Sequence, residues 1–165
     1  MTDDKVYNVL FLCTHNSSRS IMGEVILNHV GHGRYRAFSA GSMPVAAPKP
    51  FALRTLQNLR FPTEGLRSKD WSEFAQPDAP VMDFVFTVCD QAAGEICPVW
   101  PGQPITAHWG IEDPSQFKGT DEETLREFSR VAHTLKRRVE LLISMPFAKL
   151  DRLSLQRKVA EIGKQ

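Results

Sequence analysis

The sequence predicts an α/β protein: three layers, with a four-stranded parallel sheet flanked by helices and a helical extension at the C-terminal end. Three observations lead there. Four short strand candidates alternate with stretches whose apolar residues recur at helical spacing, the pattern of a parallel sheet covered on both faces. The chain has 165 residues, a length that suits one domain able to bury on the order of 70% of its unfolded surface without a metal or disulfide staple. No internal repeat or low-complexity linker divides it.

Taken in order, the first strand is expected at residues 7–12, an apolar run containing Val9, Leu10, Phe11 and Leu12. A helix over 20–30 follows, its apolar residues Ile21, Met22, Val25, Ile26 and Val30 running up to Gly31 and Gly33. Strands at 36–39, 84–89 and 105–108 alternate with a helix at 50–60, a weaker turn at 71–74 and a long helix at 120–144. That last helix carries Leu125, Phe128, Val131, Leu135, Val139 and Leu142. Proline-rich pieces at 43–50 and 98–104 read as ordered loops. Pro146 interrupts the helical pattern, so residues 1–145 are taken as the α/β domain and 146–165 as the extension. In the extension Leu150, Leu153, Leu155, Val159 and Ile162 form an amphipathic helix that either packs on the body or presents a face to a partner.

Lys and Arg total 20 against 19 Asp and Glu, interspersed, for a net charge of +1. Such a balance lacks the basic patch of a nucleic-acid-binding protein. The chain opens on polar Thr2, Asp3, Asp4 and Lys5, and no apolar stretch approaches the ~20 residues of a membrane span. The expectation is a cytoplasmic monomer with no membrane partner. Three cysteines, an odd number, argue for thiol chemistry in a reducing compartment rather than a disulfide framework.

The strongest local signal is Cys13-Thr14-His15-Asn16-Ser17-Ser18-Arg19-Ser20 between the first strand and the first helix. Five residues between Cys and Arg let consecutive amides point inward as an anion-binding nest, and the helix start adds its positive dipole end. Thr14, His15, Asn16, Ser17, Ser18, Arg19 and Ser20 are therefore the expected oxyanion-binding residues. Cys13 is expected as a thiolate, since an electropositive loop lowers a thiol from ~8.5 to ~3.5–7.5. Arg19 offers a planar fork for two oxygens, and Ser20 a hydroxyl for the sulfur. An isolated C-x5-R match is also compatible with a buried strand-end cysteine; the strand-loop-helix context favours the anion site.

Cys89 closes the third strand candidate, so its thiol shares the rim with Cys13, where open α/β sheets bind ligands. Cys97 follows after seven residues, a spacing too wide for a structural zinc hairpin, and no metal site is expected. Cys97 is placed to attack an oxidised Cys89 in a dithiol relay, with two unrelated buried cysteines as the plain alternative. Asp113, before Pro114, is either a turn initiator or a general acid whose pKa is raised near an oxyanion and the Trp109 ring. His108 is expected to be structural.

The C-x5-R-S loop, Ser39-Ala40-Gly41, Thr87-Val88-Cys89, Cys97 and His108-Trp109-Gly110 with Asp113-Pro114 together resemble an arsenate reductase of the low-molecular-weight tyrosine phosphatase superfamily, of the thioredoxin-coupled type. The loop alone indicates the superfamily, whereas Cys89 and Cys97 single out the reductase branch. Ser115 stands where the phosphatase branch would carry an aromatic. The resemblance implies a low-molecular-weight phosphatase-like fold with catalytic Cys13, Arg19, Cys89, Cys97 and Asp113. Cys13 attacks arsenate, Asp113 protonates the departing hydroxide, and a thioarsenate forms. Cys89 then attacks Cys13 and Cys97 attacks Cys89, leaving a Cys89–Cys97 disulfide for thioredoxin or for glutaredoxin and a small thiol. His15 stands where the family loop commonly has Gly, and Asn16 is expected to brace the loop through side-chain bonds to its backbone. Some relatives hold potassium beneath the loop; Asn16, Glu24 and Ser39 match that cluster, but Lys69 replaces an acid, which implies no cofactor and no need for potassium. The alternatives are a phosphatase acting on phosphate monoesters through a phosphocysteine, and a non-catalytic oxyanion or redox sensor.

Overall fold

The computed structural model describes residues 5–89 and 100–165. Its sheet has the strands β1 (Tyr7–Leu12), β2 (Tyr35–Ala40), β3 (Phe84–Thr87) and β4 (Ile105–His108). Their spatial order is β2-β1-β3-β4, and every pairing is parallel. Leu12 pairs with Ala40 on one side and Thr87 on the other, and Thr87 with His108, so all four carboxyl ends share one rim. The chain leaves β1 toward β2 and returns to β3 on the opposite flank. The loop after β1 thus sits where strand order reverses, the position at which open α/β sheets form a crevice.

Alternation along the buried strands feeds two cores. Val9, Phe11, Phe84 and Phe86 face α1 (Arg19–Val30), α2 (Pro50–Asn58) and α3 (Asp121–Ile143). Leu10, Leu12, Ala40 and Val85 face Phe74 of the short 3-10 turn Trp71–Ala75, with Met82 and Trp100. Gly23 lets α1 lie close on β1, since a Cβ there would stand 2.9 Å from the Phe11 ring. A Thr120–Glu123 capping box and three first-turn acids start α3. Its buried stripe is Phe128, Val131, Ala132, Leu135, Arg138, Val139 and Leu142.

The helix α4 (Arg152–Ile162) is started by Asp151, whose carboxylate accepts from the Ser154 amide at 2.7 Å. It lies against the edge strand β4, where Gln156 donates to the Thr106 carbonyl at 2.5 Å. Phe147, Val159 and Ile162 join the larger core, and Phe147 meets the rings of Tyr7, Tyr35 and Phe84. No described helix is long and apolar enough to cross a membrane.

The predicted elements are present with shifted ends. The ladder of β3 stops at Thr87, two residues before Cys89: the Val88 amide still donates to Leu12, but its carbonyl accepts from Ile111, which turns the chain out of the sheet. Arg60 adopts a left-handed φ of 64° and closes the chain after α2.

Candidate active site

The loop between β1 and α1 is wrapped outward by its neighbours. Carbonyls of Thr14, His15 and Ser17 accept from the amides of Met43, Val45 and Lys49, and the Asn16 carbonyl accepts from Ser68 Oγ at 2.6 Å. Within a planar peptide the carbonyl and the next amide point opposite ways, so the amides of His15 to Ser18 turn inward. The helix then begins at Arg19 with no side-chain cap, leaving its positive end to the cup. Gly41 is required for close approach: a Cβ would fall 2.4 Å from the Thr14 carbonyl and 2.6 Å from that of Cys13. The left-handed residue of the loop is Asn16, with φ 47°, rather than His15. His15 is exposed, its ring against the Met43 carbonyl.

Asn16 braces this cup through its side chain, reaching beyond the loop's own backbone. Nδ2 donates to Ser20 Oγ at 2.8 Å, and Oδ1 accepts from the Lys69 amide at 2.9 Å and from Lys69 Nζ at 3.2 Å. Lys69 Nζ also donates to the Ser39 carbonyl at 2.7 Å and faces Glu24 at 3.8 Å. Ser39 Oγ in turn donates to Glu24. Burial pushes Glu24 up, against the Ser39 and Lys69 pull, and pushes Lys69 down.

Cys13 lies buried on the floor of the cup with its thiol hydrogen-bonded to that of Cys89. Adjacency of β1 and β3 produces this contact. Both are buried thiols, and Cys89 Sγ lies 3.6 Å from Thr14 Oγ1. Cys13 titrates above the usual thiol value, first because of the Cys89 hydrogen bond and then because of burial; Arg19 and the His15 amide pull the other way. The loop amides and the guanidinium predict a lowered Cys13 pKa, and a second thiol touching the first reverses that expectation. Cys97 lies outside the described residues.

Arg19 spans the cup's lip. Nη1 donates to the Ile111 carbonyl at 2.9 Å, Nη2 faces Asp113 at 3.5 Å, and buried Nε has no hydrogen-bond partner among the described residues. Ser18 Oγ is buried in the same condition. Asp113 accepts from the Ser115 amide at 3.0 Å and hydroxyl at 2.7 Å. Burial raises the Asp113 carboxyl, but the Ser115 hydrogen bonds and Arg19 outweigh it, and its pKa is lowered. The expected elevation is overturned by these partners; Trp109 is not beside the carboxyl but fully buried, stacked on Phe86 at 3.9 Å, and donating to the Val159 carbonyl at 2.8 Å.

A cleft of about 740 Å³ opens over these groups. Thr14, His15, Arg19, Cys89 and Asp113 line it, as do His108, Gly163 and Lys164, which sequence reasoning does not find. His108 is exposed there, its Nδ1 2.8 Å from Thr87 Oγ1. Its place at the end of a rim strand is the one sequence signal for it; Gly163 and Lys164, far along the chain, carry none. Among the described residues no group of His, Cys, Asp and Glu could hold a metal ion.

A buried cysteine under an amide cup, with an arginine on the cup's lip at the switch point of a parallel sheet, is the arrangement of an enzyme site suited to tetrahedral oxyanions. The chain belongs to the low molecular weight phosphotyrosine protein phosphatase family, whose model matches residues 8–159, and within it to the arsenate reductase branch. An arsenate reductase of Shouchella clausii is 32% identical over 133 residues, 80% of this chain and 91% of that one. A glutaredoxin arsenate reductase of Synechocystis is 29% identical over 82% of this chain and 95% of the relative. In three dimensions, an arsenate reductase from Archaeoglobus fulgidus superposes with a TM-score of 0.63 at 29% identity, over 83% of this chain and 99% of that one.

Proposed function

We propose that this chain reduces arsenate to arsenite, with Cys13 as nucleophile and Cys89 and Cys97 as the relay that carries the oxidation away. The observation that carries this reading is the contact between the Cys13 and Cys89 thiols in the floor of the anion cup. Phosphate ester hydrolysis needs one thiol. Two-electron reduction of As(V) needs two, because a disulfide is the oxidised product.

In the first step the amides of residues 15–18 and Arg19 hold hydrogen arsenate over Cys13, and the sulfur displaces an oxygen. The Cys13 thiol and HAsO₄²⁻ become a Cys13–S–AsO₃²⁻ adduct and water, so the thiol proton leaves with the departing oxygen. Asp113 delivers that proton. A dianion on the Arg19 fork cancels the pull that Arg19 exerts on the carboxyl, which moves Asp113 toward its acid form. Cys89 then attacks the Cys13 sulfur; the S–As bond breaks, its electron pair stays on arsenic, and arsenite leaves a Cys13–Cys89 disulfide. Attack of Cys97 on Cys89 frees Cys13, and an external dithiol protein, thioredoxin or glutaredoxin, reduces the Cys89–Cys97 bond. The glutaredoxin-named relative and the reducing setting implied by an odd number of cysteines support a protein thiol as reductant.

Arsenite release is measured with the thioredoxin system, with glutaredoxin plus glutathione, and without reductant. Cys89→Ser is expected to lose arsenate turnover while keeping slow p-nitrophenyl phosphate hydrolysis, and Cys13→Ser to lose both. Undiminished turnover of arsenate by Cys89→Ser would sink the relay. Ester hydrolysis in the wild type with no arsenite under any reductant would identify a phosphatase, and inactivity in every assay a sensor.

A further inference from the structure

Position 138 falls on the buried stripe of α3, three residues after Leu135 and four before Leu142, where helical spacing calls for an apolar side chain. Arginine stands there instead, buried to 5% exposure. Burying a guanidinium is costly unless its donors are used. Here they are used on two segments at once. Nη1 donates to the carbonyls of Trp109 and Gly110 at 2.7 and 3.1 Å, while Nε and Nη2 donate to the Gln165 carbonyl beyond α4 at 3.3 and 3.2 Å. The next carbonyl along, that of Ile111, accepts from Arg19 at 2.9 Å. Three successive carbonyls are thus gripped by two guanidinium groups, one in the core and one at the cup.

The end of α4 is fitted to the same stretch without slack. A Cβ on Gly163 would fall 2.3 Å from the His108 carbonyl and 2.8 Å from Trp109 Cδ1, although its φ of −64° would suit any residue. Close approach, not backbone freedom, requires glycine there. Trp109 Nε1 bonds the Val159 carbonyl, and Gly163 and Lys164 form a wall of the cleft.

We propose that Arg138 is a positioning residue for the anion cup: by tying residues 109–110 to the end of α4 it sets the Ile111 carbonyl, and through it the aim of the Arg19 fork. This rests on the reading that the cup binds a tetrahedral oxyanion, whichever reaction follows. With Arg138 removed, the 109–111 backbone keeps its amide bonds to Thr87 and Val88 but loses the grip on the Trp109 and Gly110 carbonyls, the Ile111 carbonyl is held less firmly, and the Arg19 fork meets two oxygens less squarely. Misaligned bidentate contacts lose much of their worth.

The test uses the full chain and inorganic phosphate, a probe that reports on the cup without arsenate chemistry. Arg138→Lys keeps the charge but not the fork, and is expected to weaken phosphate binding about tenfold by calorimetry, the scale of one charged hydrogen bond. Val159→Ala, a core cut in α4 away from the guanidinium, serves as the stability control; it is expected to lower the melting temperature comparably and to leave phosphate affinity within about twofold. In an Arg19→Lys background, Arg138→Lys is expected to add little further loss, because both act through one group. Wild-type affinity in Arg138→Lys, equal losses in Val159→Ala, or full additivity with Arg19→Lys would each overturn the assignment. Should arsenate reduction itself fail while these affinities shift as stated, the positioning role stands and the proposed reaction falls.

Discussion

Beneath the Cys13 loop the Lys69 ammonium donates to Asn16 and Ser39 and faces Glu24, with 9% of its side chain exposed; above the loop the Arg19 guanidinium holds Ile111 and Asp113 and keeps a buried Nε without a partner among the described residues. The carboxylates of the two groups are shifted in opposite senses. Burial dominates at Glu24 and raises it, while at Asp113 burial is outweighed by Ser115 and Arg19 and the pKa is lowered. A group with its donors engaged is scaffold, whereas one with a donor left over in a cleft is built for something that arrives from outside. We propose on this contrast that Lys69 holds the loop and Arg19 holds the ligand.

The sharpest way to break that assignment is Lys69→Met. It leaves Glu24 without its cation and the Ser39 carbonyl without the ammonium in a buried site, and an unfolding free-energy loss of about 3–5 kcal/mol is expected from urea titration. A loss below about 1 kcal/mol, the worth of an exposed pair, would remove the distinction between the two clusters. Next comes Arg19→Lys, expected to cost about 1 kcal/mol of stability, the worth of its Ile111 hydrogen bond, while arsenate kcat/KM falls about 100-fold. A large stability loss there would make Arg19 scaffold as well.

Opposite pKa shifts require opposite pH slopes. The lowered Asp113 contributes stability above its unfolded pKa of ~3.9 that is lost as pH falls through the folded value, so the margin of wild type over Asp113→Asn should shrink on acidification. The raised Glu24 contributes stability fully present below its unfolded pKa of ~4.3 and lost as pH rises through the folded value. Wild type relative to Glu24→Gln should therefore gain on acidification toward that pH. Slopes of one sign for both pairs, measured by denaturant unfolding between neutral pH and the acid limit, would contradict the assignment. The smallest expected effect is none: with an ammonium already among Asn16, Ser39 and Glu24, we propose that phosphate affinity is equal in potassium and sodium chloride at matched ionic strength. A clear gain in potassium would show that the cation is needed.

Much of the cup is legible in the amino-acid sequence. Cys13 and Arg19 stand on one short loop, so strand periodicity, loop length and helix pattern place them without reference to the rest of the chain. Asn16 illustrates the limit. The family resemblance points its side chain at the loop's own backbone, yet it bonds the Ser20 hydroxyl and reaches Lys69, 53 positions away. Trp109 illustrates it again: a separation of four residues suggests a ring beside the acid, whereas stacking on Phe86 in the adjacent strand draws the ring into the core. His108, expected to be structural, lies on the cleft.

From residue order alone came the elements, the parallel sheet and the loop that carries Cys13 and Arg19, because these depend on periodicities and spacings of a few residues, which local sterics and hydrogen bonding dictate. Tertiary structure alone decided which way the Cys13 and Asp113 pKa values move, and that an arginine on α3 grips the backbone leading to Asp113. Those outcomes turn on strand order and on burial, and a group's proton affinity is set by neighbours that the fold brings from far along the chain, such as Cys89 beside Cys13 and Arg19 beside Asp113.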